Sequence, residues 1–414
     1  MIQRPRGTRD FGPEEMEKRR WLEGIMRSTA RGFGFREVAT PTFEHTELFT
    51  LKSGPNIVDE IYAFQDKGGR DISLRPELTA PVIRFFVNDL SNNPRPLKVL
   101  YIGPCFRYER PQSGRYREFH QFGVELVGTK TPESDAEVIG LAASIMEAIG
   151  LKEYTIRVGH IGILRKILED EGLDTESSAI VLQKLDKKQY EEARPLMQAA
   201  GMEDDMIDKI FDLTEICGDA SVIEGMEGEA IDHLKGVLEV LISYGVENVQ
   251  IDLGVVRGLD YYTGIVFEVE APSLGAEKQV CGGGSYSLSE LFGGERVFST
   301  GFAIGFDRVM LALENEGLEL EVEGLDAFVI PVKDAQRSKA FEIVSMLRRS
   351  GVRADVDLMR RSLGKSFKYA DSVGAKYAII VGEKELEQDS VTIRNMESGE
   401  QKLVDLPGLA EFFL

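Results

Sequence analysis

Residues 101–128 read YIGPCFRYERPQSGRYREFHQFGVELVG, and their folding decides how the rest of the chain is read. The two ends, YIGPCFRYE and FHQFGVELVG, are rich in aromatic and β-branched side chains and alternate in part, which predicts two strands. The middle, RPQSGR, combines Pro, Ser and Gly and predicts a loop. Together they make an antiparallel hairpin that carries Arg107, Arg110, Arg115 and Arg117 close to Glu109, Glu118 and Glu125. A guanidinium donates two parallel hydrogen bonds and stays charged, so it suits phosphate oxygens. A solvated, salt-bridged hairpin accounts for any one of these arginines. It accounts less well for their density beside Phe106, Tyr108, Tyr116 and Phe119.

A chain of 414 residues is too long for one compact core, so two or three domains are expected. The start, MIQRPRGTRDFGPEEMEKRR, is polar and no run approaches a membrane span, which argues against a signal peptide and for a cytoplasmic location. Cys105, Cys217 and Cys281 are scattered without CxxC pairing. That speaks against a disulfide framework and a thiolate metal site and fits a reducing compartment. A net charge of -21 gives no reason to expect nucleic acid, yet local distribution matters more than the sum. From Asp326 onward 14 Lys/Arg balance 14 Asp/Glu, so the acidic excess lies upstream. Within that last segment Arg348, Arg349, Arg353, Arg360, Arg361, Lys365 and Lys368 form a basic concentration. On charge alone, a solvated face of two surface helices is the plainer reading.

In chain order, GTRDFGP (7–13) is a turn-rich opening, and 14–31 predicts an amphipathic helix with Trp21, Ile25 and Met26 towards the core. A short strand over 35–39 runs up to Pro41, which suits an edge or a subunit contact. Residues 62–65 and 71–74 predict a short hairpin. In RPELTAPVIRFF (75–86) Pro76 marks a helix start, with Glu77 and Thr79 in its first turn. Residues 134–149 predict a helix capped by Ser134 with Glu137 at capping-box spacing. After a strand over 154–160, residues 161–244 change to acidic helix-period segments, read as an insertion between two parts of a sheet. Strands resume at 249–256 and 265–270 around RGLDYYTG. A Gly-rich run, CGGGSYSLSELFGG, leads through 297–301 to GFAIGFDRVMLALE, read as a helix that begins with small residues. The acidic linker 316–324 precedes alternating strands and helices and a final hairpin near 391–404, a small α/β domain with a mixed sheet. The expected organisation is one domain split into 1–160 and 246–320, a helical insertion over 161–245, and a separate domain over 326–414.

Arg107 in FRYE, Arg257 in RGLDYY and Arg308 in GFDR each place an arginine beside glycines or aromatics near predicted sheet. CGGGSYS lacks both the GK[ST] ending of a Walker loop and the helix context of a dinucleotide fingerprint. A nucleotide would therefore be held by side-chain arginines on a sheet. FRYE in a strand–loop–strand, GFDR opening a late helix and the proline-bearing segment near the start resemble the three motifs of class II aminoacyl-tRNA synthetases. RGLDYYTG, CGGGSYS, LRPELTAP and RYREFHQFGVELVG resemble signatures of the histidyl-tRNA synthetase family, and the likeness runs from Gly7 to the C-terminus. It implies an α+β fold: the class II antiparallel sheet flanked by helices, with a helical insertion and a C-terminal α/β anticodon-binding domain.

The resemblance implies a division of roles. Arg107 would hold the ATP α-phosphate, Glu109 would accept from the adenine amino group, and Arg115 would bind the outer phosphates alongside Mg²⁺. Phe119 would stack on the adenine, with Arg308 over its other face. Glu77 and Thr79 would take the amino group of histidine, with Gln121 near its carboxylate. Glu125, Tyr262 and Tyr286 would read the imidazole. Arg257 would stabilise charge on the α-phosphate as the histidine carboxylate attacks. Arg110 and Gln112, at the hairpin tip, would meet the acceptor end of tRNA(His). ATP enters as a substrate with Mg²⁺, no fixed protein metal site is expected, and the family implies a homodimer with the segment around Pro41 at the contact. Many relatives carry an Arg and an Asp around the tyrosine of the Gly-rich signature; here Ser285 and Ser287 stand there. Two other identities fit parts of this pattern. One is the catalytically silent regulatory subunit of ATP phosphoribosyltransferase, which generally lacks the last domain and much of the Arg and Glu set. The other is a class II synthetase for threonine or proline, against which RGLDYYTG argues.

Overall fold

The structure is a computed structural model that describes residues 2–109, 116–255, 261–318 and 324–413. The chain divides into two compact units, Met1–Leu320 and Glu321–Leu414. No described helix is long and apolar enough to cross a membrane.

In the first unit, α1 (Pro13–Gly32) buries Leu22, Met26 and Ala30, spaced one helical turn apart. Trp21, expected in the core, is 37% exposed because it lies on the adjoining face. The strand expected over 35–39 is only β1 (Arg36–Glu37). A small separate sheet takes β2 (Phe43–His45), β3 (Ala63–Gln65) and β4 (Asp71–Leu74) in the order β2-β4-β3, with α2 (Glu47–Ser53) between its first two strands in sequence. The helix expected from Pro76 begins at α3 (Thr79–Phe85). Glu77 stays outside it and caps it, its carboxylate accepting from Thr79 N at 2.7 Å and Ala80 N at 3.1 Å. Free amide hydrogens at a helix start favour such an acceptor.

The hairpin forms as read: β5 (Leu97–Phe106) pairs antiparallel with β6 (Glu118–Val127), from Leu97 opposite Val127 to Phe106 opposite Glu118. The next helix, α4 (Pro132–Ala148), starts two residues before the expected cap. Thr131 is its N-cap and Ser134 the reciprocal partner in the capping box, because a Thr–x–x–Ser frame satisfies the same donors. Glu137 instead pairs with Lys98 and Tyr244. After β7 (Thr155–His160) come α5 (Ile161–Asp170), α6 (Thr175–Asp186), α7 (Tyr190–Ala199) and α8 (Asp204–Thr214). A short β8 (Cys217–Gly218), α9 (Glu229–Ser243) and β9 (Val249–Asp252) follow.

The first part of the Gly-rich run, CGGGSY, is not a connection but belongs to the strand β11 (Gln279–Tyr286), lying between β10 (Tyr262–Glu270) and β12 (Ser299–Gly305). The helix expected from GFAIGFDR likewise begins later, as α10 (Phe306–Asn315), since GFAIG completes β12. Among the described residues the large sheet runs β1-β5-β6-β12-β11-β10-β7-β9-β8. One face packs on α1, α4, α9 and α10 through Phe122, Val124, Ile265, Phe267, Phe302 and Ile304. The other face shares a second apolar cluster with α5–α8, in which Leu164, Leu168, Val181 and Met197 meet Val266 and Tyr286. Alternation along each strand assigns side chains to the two faces.

The second unit is the mixed α/β sheet expected. Its order is β14 (Ala354–Val356), β13 (Ala327–Pro331), β15 (Tyr377–Val381), β16 (Ser390–Asn395) and β17 (Gln401–Asp405). The first three are parallel and the last two antiparallel. Helices α11 (Arg337–Arg349) and α12 (Leu363–Ser372) contribute to separate apolar clusters built on this sheet.

The glycines of β11 answer a packing demand. A Cβ at Gly283 would sit 2.2 Å from the carbonyl oxygen of Gly301 and 2.7 Å from the ring of Phe267. Gly283→Ala is therefore expected to destabilise the first unit by at least about 3 kcal/mol. The sole tryptophan, Trp21 on α1, reports this unit's denaturant midpoint by fluorescence; an unchanged midpoint would contradict the packing argument.

Candidate active site

A cavity of about 410 Å³ is bounded by the hairpin, the Gly-rich strand, α2, the start of α3 and the start of α10. All the described residues that the resemblance assigns to ATP or histidine line it: Glu77, Thr79, Arg107, Glu109, Phe119, Gln121, Glu125, Tyr262, Tyr286 and Arg308. Arg110, Gln112, Arg115 and Arg257 lie outside the described residues.

At one end Glu125 is only 1% exposed. Tyr101 donates to its Oε1 at 2.9 Å and Tyr286 to its Oε2 at 2.5 Å, while Thr79 Oγ1 lies 3.3 Å from the Tyr101 hydroxyl. Burial pushes the Glu125 carboxyl up from 4.5 to about 7, against the pull of the phenol hydrogen bonds. Burial also holds both phenols well above their ordinary value, so they stay donors. Each carboxylate oxygen keeps a lone pair for a further donor. Room for the group comes from missing side chains: a Cβ at Gly301 would lie 1.9 Å from Glu125 Oε2, and one at Gly123 would lie 2.5 Å from the Tyr101 ring.

Beside it, Glu77 Oε1 pairs with Lys52 Nζ at 3.1 Å, and the Lys52 ammonium stands 4.4 Å from the Tyr261 ring centroid. Tyr262 is buried with its ring 4.6 Å from that of Tyr261. Gln121 Oε1 accepts from the Cys105 thiol at 3.3 Å, and burial pushes that thiol up to about 12, leaving it protonated. Sequence reasoning missed Tyr101 and Lys52. Tyr101 had a signal in its opposition to Gly123, since a glycine facing an aromatic marks close approach. Lys52 had none, because α2 reaches the cavity only through the tertiary fold.

The other end is rich in guanidinium groups. Arg107 Nε donates to the Pro76 carbonyl at 3.0 Å, its Nη1 is 3.7 Å from Glu109 Oε1, and its guanidinium lies 5.1 Å from the Phe119 ring centroid. Arg308 donates to the Gln279 carbonyl at 2.8 Å and faces Glu277 at 3.4 Å. Its neighbour Asp307 accepts from Arg9 and Arg19, both at 2.6 Å, and from the His120 amide at 3.0 Å. Ser285 and Ser287 lie elsewhere. Ser285 donates to Asp135 of α4 at 2.7 Å, on the sheet face away from Tyr286, and Ser287 donates to the Val297 carbonyl at 3.2 Å. Neither lines the cavity.

A family model described as histidyl-tRNA synthetase matches residues 7–309, and one described as an anticodon binding domain matches 326–414. The chain is 51% identical over 407 residues to a curated histidine–tRNA ligase of Archaeoglobus fulgidus, covering 97% of each chain. It is 47% identical over 415 residues to the one of Methanosarcina acetivorans, covering 99% of this chain and 98% of that one. A crystal structure of apo histidyl-tRNA synthetase from S. aureus superposes with a TM-score of 0.76 at 32% identity, over 100% of both chains.

Because the Glu125 carboxyl titrates higher in the fold than in the open chain, it favours folding fully below about 4.5, and that contribution is lost as pH rises through about 7. Glu125→Gln does not titrate. Its stability relative to the parent protein is expected to increase by about 3 kcal/mol between pH 4.5 and 8. Paired denaturant titrations followed by Trp21 fluorescence check this; a difference that stays flat with pH would refute it.

Proposed function

The chain belongs to the histidyl-tRNA synthetase family, and from that membership we propose how the cavity performs the family's reaction. Histidine is activated with ATP to histidyl-adenylate and pyrophosphate, and the histidyl group then passes to the 3′ end of tRNA(His). The observation that carries the assignment is the buried Glu125, held between two phenols and beside Glu77 at one end of a cavity whose other end is rich in arginine.

At the amino-acid end, Glu77 and Thr79 receive the α-ammonium and Gln121 faces the carboxylate. Glu125 accepts from one ring N–H of the imidazole, and Tyr262 and Tyr286 complete the ring pocket. An amino acid without that N–H leaves the remaining acceptor capacity of a desolvated carboxylate unmet, which gives discrimination on the order of 10⁴-fold without editing. At the nucleotide end, Arg107 binds the α-phosphate, Glu109 the adenine amino group, and Phe119 with Arg308 the faces of the adenine. Arg115 binds the outer phosphates of ATP, which arrives with Mg²⁺.

In the first step a histidine carboxylate oxygen attacks the α-phosphorus and the bond to the pyrophosphate oxygen breaks. The nucleophile is already an anion, so no general base is required and alignment supplies much of the acceleration. Charge grows on the α-phosphate oxygens, and Arg257 is the guanidinium we assign to stabilise it. In the second step a ribose hydroxyl of the tRNA attacks the histidyl carbonyl and AMP leaves. Arg110 and Gln112 are assigned to the acceptor end. In the second unit, the exposed Leu358 and Met359 stand beside Arg360 and Lys365, a mixture that suits splayed bases and phosphates of an anticodon loop. Exposed Phe43 and Phe64 on the small sheet near Pro41 support a homodimer, and the absence of any membrane-length described helix is compatible with a cytoplasmic enzyme. The regulatory-subunit reading is set aside, since the ligase relatives match almost the whole chain and the cavity keeps Arg107, Glu109 and Glu125.

ATP–pyrophosphate exchange tested with each amino acid is expected to respond to histidine alone and to fall by at least about 10²-fold in Arg257→Ala. Folded protein that exchanges with no amino acid would overturn the assignment. The double variant Arg360→Ala/Lys365→Ala is expected to leave this exchange unchanged. It should raise the KM for tRNA(His) several-fold in aminoacylation, less so at higher salt, because fewer phosphate contacts make a shallower salt dependence; an unaltered KM would remove this segment from the tRNA surface.

A further inference from the structure

The opening GTRDFGP has no role in the scheme above, yet it lies against the nucleotide end of the cavity. Gly7 accepts from the amide of Arg117 at 2.9 Å, so the segment follows the hairpin where the chain leaves the tip. The Arg9 guanidinium is 3.7 Å from the Tyr116 ring centroid and 4.9 Å from that of Phe11. Its Nη2 donates to Asp307 Oδ1 at 2.6 Å. Tyr116 and Asp307 both line the cavity, and Asp307 adjoins Arg308 in the first turn of α10.

Charge balance does not explain this contact. Asp307 already has a buried partner in Arg19, whose side chain is 4% exposed and which binds the same oxygen at 2.6 Å. Its other oxygen accepts the His120 amide. A second guanidinium, 25% exposed, adds little to the neutralisation of that carboxylate. What Arg9 adds is a bridge. It is planar, it lies close to one aromatic and bonds the carboxylate, and so it links the hairpin exit to α10 across 191 positions of sequence.

We propose that Arg9 is a positioning residue for ATP: acting through Tyr116 and Asp307, it sets the separation between the hairpin exit and Arg308. The proposal rests on the assignment of Phe119 and Arg308 to adenine. Loosening this bridge widens the nucleotide end and leaves the Glu125–Tyr286 end, on the neighbouring strands, in place.

The test is steady-state ATP–pyrophosphate exchange on the full chain with Arg9→Met, Arg9→Lys and Tyr116→Leu. Arg9→Met is expected to raise the KM for ATP about tenfold with the KM for histidine changed less than about twofold. Arg9→Lys should recover little of that loss, because an ammonium does not reproduce the planar contact. Tyr116→Leu should give the same split, and combining it with Arg9→Met should add little further, as for residues acting through one contact. If Arg9→Met does not fold, Tyr116→Leu carries the measurement by itself. An unchanged KM for ATP, or equal rises for both substrates, overturns the proposal. Arg107→Ala and Arg308→Ala separate the two levels. If they too leave the KM for ATP unchanged, the nucleotide assignment fails; if they raise it and the Arg9 and Tyr116 variants do not, only the bridge fails.

Discussion

A carboxylate buried in the middle of a sheet constrains everything around it. Glu125 is excluded from water, and an unpaired ionised carboxylate in that position would cost many kcal/mol. Two phenols, one from the adjacent β5 and one from β11 on the far side of β12, satisfy one lone pair on each oxygen, and the missing side chains at Gly123 and Gly301 make space for the group and for Tyr101. The order β5-β6-β12-β11 follows the same requirement, since Tyr101, Glu125, Gly301 and Tyr286 meet only when those strands are adjacent. Neutral donors fix the carboxylate without cancelling its charge, which leaves it able to select a ligand by its hydrogen-bond donors.

Asp307 is the second buried carboxylate of the cavity and is satisfied differently, by two guanidinium groups and a backbone amide. Charge-assisted bonds of this kind are short and directional. They tie α1, the opening segment, β6 and α10 at one point. One end of the cavity thus keeps a carboxylate available for a ligand, while the other uses its carboxylate to assemble the wall that carries Arg308.

The hairpin and the C-terminal α/β unit were legible because local alternation and turn chemistry specify them. The candidate site was legible because its residues cluster in a few short motifs. Element boundaries were less so. Ser134 with Glu137 and Thr131 with Ser134 are both sound capping frames, and choosing between them depends on Glu137 having Lys98 and Tyr244 as partners. The glycines of CGGGSYS look like a loop in isolation, since glycine is usually unfavourable in a strand. They form one because the neighbouring strands leave no room for side chains.

The sequence by itself determined the arginine-bearing hairpin, the helical insertion, the separate last unit and most of the charged and aromatic residues from which the site is built. Those features follow from periodicity and from residue chemistry within about thirty positions. Only the tertiary structure decided that Tyr101 and Lys52 belong to the cavity, that Ser285 faces away from it, and that Arg9 and Arg19 converge on Asp307. These contacts join residues roughly 25 to 300 positions apart, and strand order and helix docking, which no local pattern encodes, bring them within hydrogen-bonding distance.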